Sequence, residues 1–139
     1  MAIKQLNPYL NFNGDGAQAI ALYERALGAK AINVQRFGDA PGMSTPENKD
    51  RILHPRLEVG PAMFMLSDTR PGQTLPPGGN THLCLDFTDA AEMAQKFDAL
   101  AVGGKVTMPL ADTFWGARFG TLEDAHGIQW MFNCDLKKG

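Results

Sequence analysis

Three histidines and two cysteines carry most of the reactive chemistry in this 139-residue chain. His82 opens the run Thr81-His82-Leu83-Cys84-Leu85-Asp86-Phe87, where polar and apolar residues alternate. Alternation of period two puts His82, Cys84 and Asp86 on one face of a strand and Leu83, Leu85 and Phe87 on the other. An imidazole titrates near neutrality, so His82 has two readings. It is a general base or ligand, or a hydrogen-bonded residue with no role in chemistry. His54 and Glu58 lie four apart with Arg56 between them, on one face of one strand. They read either as a displaced metal site or as a solvated, ion-paired strand face. His126 precedes Gly127 and reads as a surface turn residue. Cys84 and Cys134 form no CxxC pair and read as small buried hydrophobes, with a reactive thiol as the alternative. Gly14-Asp15-Gly16 is a lone turn, with no glycine-rich loop of the kind that holds S-adenosylmethionine.

The elements that position these residues repeat. A shift of 75 residues places Leu10 on Leu85, Phe12 on Phe87, Gly28 on Gly103 and Lys30 on Lys105. In the first copy Leu6, Leu10 and Phe12 oppose Asn7, Tyr9 and Asn11. A helix over 15–27 carries Ile20, Tyr23 and Leu27 on one stripe and stops at Gly28. A second, over 89–102, carries Met93, Phe97 and Leu100 and stops at Gly103-Gly104. Such stripes pack on a core, and a glycine after the last turn closes the helix in the left-handed conformation. Asp15 and Asp89 are the expected N-caps. Strands are expected over 31–37, 51–59 and 62–68, then over 105–108, 117–122 and 128–133. Residues 38–50 and 69–80 are rich in turn formers and read as loops. The chain therefore reads as one α+β domain of two βαβββ modules, 1–68 and 81–139, joined by a linker over 69–80. One helix covers one face of each half-sheet. The other faces must meet water or curve around a cavity.

Bulk properties agree with an ordinary globular protein: 44% hydrophobic residues, 20% charged residues and a net charge of −2. No basic stripe points to nucleic acid. No apolar run is long enough to span a membrane, and the first residues form no secretory signal. The expectation is a cytoplasmic protein.

The local words then carry a resemblance. Asn7-Pro8-Tyr9-Leu10-Asn11-Phe12, Ala19-Ile20 and Tyr23 open the chain; His54, Leu57 and Met65-Leu66-Ser67-Asp68 follow. Asp112-Thr113-Phe114-Trp115-Gly116, Phe119-Gly120 and His126-Gly127-Ile128-Gln129-Trp130-Met131-Phe132-Asn133 end it. The chain resembles the glyoxalase/bleomycin-resistance (vicinal oxygen chelate) superfamily over nearly its whole length, and within it the PhnB-like proteins. That resemblance implies curved mixed sheets that form cups, and commonly a homodimer.

It also implies where a metal would sit. Metal-using members draw four ligands from the first and last strands of each module. Carried over, those positions are Asn7, Leu66 or Ser67, His82 and Met131. Only His82 is a good ligand, so no cofactor is expected; a divalent metal would have His82 as its strongest donor. Alternation gives the cavity-side set as Asn7, Tyr9, Asn11, Met63, Met65, Ser67, His82, Cys84, Gln129, Met131 and Asn133. Trp130 reads as core. Trp115 and Phe119 wall a pocket or pack an interface. The expected function is binding of a small organic molecule in the cup without the usual metal, with Asn7, Tyr9, His54, Met65, Ser67, His82, Trp115, Phe119 and Met131 as contacts. The alternatives are a His82- or metal-dependent lyase, isomerase or dioxygenase, and an interaction module whose cavity has filled with side chains.

Overall fold

A computed structural model describes residues 3, 6–36, 38, 51–53, 55–69, 74–76 and 80–136, which form two helices, two four-stranded mixed sheets and one two-stranded sheet. The chain divides into two compact units, Met1–Pro76 and Pro77–Gly139. Among the described residues no helix is long and apolar enough to cross a membrane.

In the first unit, β1 (Tyr9–Phe12), β6 (Ala62–Asp68), β5 (Arg56–Val59) and β2 (Lys30–Ile32) form a sheet in the order β1-β6-β5-β2. β1 runs parallel to β6, and the other neighbours are antiparallel. Helix α1 (Gly16–Leu27) buries Ala19, Ile20, Leu22, Tyr23, Ala26 and Leu27. The Tyr23 ring meets Phe64 edge-on at 5.6 Å. Phe12, Leu57, Phe64 and Leu66 are buried with it and form the core. Gly28 closes the helix at φ 70°, a backbone setting that glycine adopts without steric cost.

The start of α1 departs from the sequence expectation. The Asp15 side chain makes no capping bond. Asp68, at the end of β6, does the work from across the module. Its Oδ1 accepts from the amides of Gly14 (3.0 Å) and Gly16 (2.8 Å), and its Oδ2 accepts from Ile52 N (2.8 Å). Asp68 is buried. A carboxylate at a helix N-terminus satisfies free amides and sits at the positive end of the dipole. The approach explains Gly16, because a Cβ there would lie 2.9 Å from Asp68 Oδ1. Gly14-Asp15-Gly16 is thus a structural clasp for α1.

Two expected strands of this unit are broken. The run 31–37 divides into β2 and β3 (Gln35–Arg36) around Asn33, whose φ is 59°. The run 51–59 divides into β4 (Ile52–Leu53) and β5, and β4 pairs with β3. Pro55 lies at the break and has no N–H for a ladder; its carbonyl accepts from Leu66. Leu6, expected on the apolar face of a strand, precedes β1 and is 91% exposed. Among the described residues no strand pairs with it.

The second unit repeats the plan. Strands β7 (Leu83–Phe87), β10 (Gln129–Asp135), β9 (Ala117–Glu123) and β8 (Lys105–Asp112) lie in the order β7-β10-β9-β8, with β7 and β10 parallel. Helix α2 (Ala90–Leu100) buries Met93, Phe97 and Leu100. Asp89 caps it as expected, its side chain accepting from Ala91 N. The C-cap is Ala101 in the right-handed region, so the helix ends ahead of Gly103. Phe132 stacks on Phe87 at 5.4 Å and receives Phe97 edge-on at 5.1 Å. Trp130 is buried, as its alternation with Met131 predicts, and donates from Nε1 to the buried Asp124 (2.9 Å). β8 is longer than expected and has two register shifts against β9.

Candidate functional site

Each four-stranded sheet has one face packed on the helix of its own unit and one face free of that helix. Register fixes what the second face carries. In the first unit Tyr9, Met65 and Arg56 stand in one row across β1, β6 and β5. Asn11 and Ser67 form the next row, and Met63, Glu58 and Lys30 the row on the other side. Asn7 precedes β1 and is half-buried. Arg56 is exposed and has no hydrogen-bond or ion-pair partner among the described residues. His54 lies outside the described residues. Because β4 and β5 are separate strands, a shared face for His54 and Glu58 no longer follows from their spacing.

Tyr9 and Ser67 are coupled through their hydroxyls. Partial burial raises the Tyr9 phenol above its ordinary value near 10, and a hydrogen bond with Ser67 opposes that rise. Ser67 is buried, and its hydroxyl is also 2.9 Å from the Asp68 carbonyl, so its single proton is shared between that carbonyl and the phenol oxygen. A raised phenol pKa means that folding favours the neutral form. The corresponding stability is present below pH ~10 and is lost as pH rises through the folded value. In Ser67→Ala the opposing bond is gone, so the Tyr9 midpoint moves further up. Absorbance titration near 295 nm, with Tyr9→Phe to assign the signal, measures it. A midpoint that stays or falls contradicts the pairing.

In the second unit the helix-free face holds Cys84, Asp86, Gln129, Met131, Asn133, Phe119 and Thr121. His82 is exposed, immediately before β7. Met131 lies between Cys84 and Thr121 in register, and Thr121 shares a short hydroxyl contact with Thr107 of β8 (2.6 Å). Asn133 Nδ2 donates to Asp86 Oδ1 at 3.1 Å. Cys84 is exposed, against the expectation of a buried thiol, because it sits on the helix-free face of β7. Desolvation first, and the Asp86 charge second, raise its pKa and so suppress the thiolate. Cys134, on the other face of β10, is buried as expected. His126 is half-buried in the β9–β10 turn, where its amide donates to Asp124.

Trp115 stands at the β8–β9 turn, 56% exposed. Its ring meets Phe114 edge-on at 5.0 Å and Phe119 at 6.1 Å. The turn is held by paired bonds between Thr113 and Ala117 and by Leu136 N donating to the Gly116 carbonyl. The sequence reading missed the Thr107–Thr121 and Asp86–Asn133 pairs. Alternation in β9 carried the signal for Thr121. The cross-strand partners needed the register.

The two βαβββ units with a parallel first and last strand are the architecture of one superfamily, and its family model matches residues 5–132. The chain belongs to the glyoxalase/bleomycin resistance protein/dioxygenase superfamily. Within this superfamily it is similar to the protein YjdN of Escherichia coli K12, 35% identical over 92% of this chain and 93% of that one. The solved structure of PA1353 from Pseudomonas aeruginosa is 38% identical and superimposes with a TM-score of 0.87, over 97% of this chain and all (100%) of that one. A PhnB protein of Bacillus cereus, 22% identical, shares the fold with a TM-score of 0.75 over 94% and 99% of the two chains.

The resemblance carries the superfamily's metal ligands onto Asn7, Leu66 or Ser67, His82 and Met131, and the chemistry of these residues suits a divalent ion poorly. Leu66 is fully buried in the core, and the Ser67 hydroxyl is engaged by Tyr9 and the Asp68 carbonyl. Met131 offers a thioether and Asn7 a neutral amide, which are poor donors to hard or borderline ions. His82 is the one strong donor of the set.

Proposed function

We propose that the protein binds a small organic molecule on the helix-free faces of its sheets, without the divalent metal that other superfamily members use. The lining carries this reading. Tyr9, Met65 and Asn11 in one unit, and Cys84, Met131 and Asn133 in the other, are half-buried or exposed. Thioethers and a phenol supply adaptable apolar contact, while amides fix orientation. Asn7, Ser67, His82, Trp115 and Phe119 complete the set of contacts, with His54 from the sequence alone. A homodimer, as the superfamily resemblance implies, belongs to the same proposal. A His82-dependent lyase or isomerase is the second reading, favoured by the exposure of that imidazole.

Thermal-shift screening of chelator-treated protein against a library of aromatic and aliphatic metabolite-like compounds tests it. Binding of organic compounds in chelator, weakened by Met131→Ala or Tyr9→Ala, is the expected result. No stabilisation by any compound overturns it and favours a filled cavity. Turnover of a bound compound that is lost in His82→Ala decides for the enzyme.

A further inference from the structure

One end of the second unit's helix-free face combines an aromatic ledge with unused acceptors, and we infer that it takes a protonated amine joined to an aromatic ring. This rests on the small-molecule reading above and names the ligand's chemical class. Ala111, Phe119, Asn133 and Asp86 form one row across β8, β9, β10 and β7. Trp115, in the β8–β9 turn, adds a second ring 6.1 Å from the Phe119 ring. Two strand spacings of about 4.8 Å separate Phe119 from Asp86, close to the span of an aromatic ring plus a short alkyl amine.

The chemistry of the row is specific. Asn133 spends its Nδ2 on Asp86 Oδ1, which fixes both side chains. Among the described residues, Asp86 Oδ2 and Asn133 Oδ1 have no partner. Both are acceptors, and one carries charge. An ammonium has donors for both, and charge-assisted bonds of this kind are the strong ones. The charges around it reinforce the sign. Asp135 lies on the next row of the same face. Lys105 is at the other end of the sheet, in register with Glu123. Arg118 is in register with Cys134, on the opposite face, and its Nε pairs with Asp112 at 2.8 Å. No cation of the described residues stands in the row. The Trp115 and Phe119 rings supply apolar aromatic surface for the ligand's own ring. The turn bonds that hold Trp115 keep the ledge in place before a ligand arrives.

Calorimetric titration of the full chain with tryptamine, 3-ethylindole and indole-3-propionate tests the inference. These three share the ring and differ in charge. Tryptamine is expected to bind about tenfold or more tighter than the carboxylate, a single charge-assisted bond's worth of discrimination. Asp86→Asn keeps the size and the Asn133 bond, so it abolishes that preference with the melting temperature unchanged. Trp115→Ala weakens tryptamine and 3-ethylindole alike. If wild type does not prefer the amine, or if Asp86→Asn retains the preference, the inference fails. It fails alone if other compounds from the library still bind. If nothing binds, the small-molecule reading falls with it.

Discussion

Asp68→Ala is expected to lower the unfolding free energy by about 3–4 kcal/mol, among the largest single-residue effects in the molecule. One buried carboxylate accepts from Gly14, Gly16 and Ile52, and these amides belong to three different places: the turn before α1, its first residue and β4. Its removal strands buried donors at ~1–3 kcal/mol each and takes a negative charge from the helix N-terminus. Partial solvation of Gly14 keeps the total below the full sum. Asp68→Asn is the informative companion. It keeps the volume but replaces one acceptor with a donor that faces an amide, so it should lie between wild type and alanine. Urea denaturation followed by circular dichroism measures both. A cost under about 1 kcal/mol for the alanine variant would mean that the clasp does not hold α1.

Phe132→Ala should cost about 3–5 kcal/mol. Phe132 is fully buried at the centre of the second unit, stacked on Phe87 and struck edge-on by Phe97. Truncation removes both ring contacts and leaves a cavity that rigid strands on either side cannot close. Phe132→Leu keeps most of the volume and loses only the aromatic geometry, worth roughly 0.5–1.5 kcal/mol per pair. The buried Trp130 next to it gives a fluorescence signal for the unfolding of this unit. Equal effects of leucine and alanine would contradict the packing argument.

What the sequence made legible was periodic. Alternation placed Phe12 and Trp130 on the core side, where both are buried, and Tyr9, Met65 and Met131 on the other, but it left Leu66 beside Ser67 as a possible ligand although Leu66 is buried in the core. The apolar stripes of α1 and α2 were read from Tyr23, Leu27, Phe97 and Leu100, and all four are buried. Non-local chemistry was hidden. Asp15 has the residue type and position of an N-cap, but a carboxylate 53 residues further along the chain takes the role, and only the parallel pairing of β1 with β6 brings it there. The strand expected over 51–59 ignored how strictly Pro55 limits a ladder. Cys84 was read by residue type when its parity on β7 put it with His82 and Asp86. The Asp86–Asn133 bond depends on the parallel register of β7 with β10, which no local pattern encodes.

Elemental analysis of protein purified without added metal, alongside His82→Ala, bears most directly on the account. Far less than one zinc, iron, nickel or manganese per chain is predicted, unchanged by the substitution, in protein that still binds organic compounds. A full equivalent of one of these metals, lost when His82 is replaced, would contradict it.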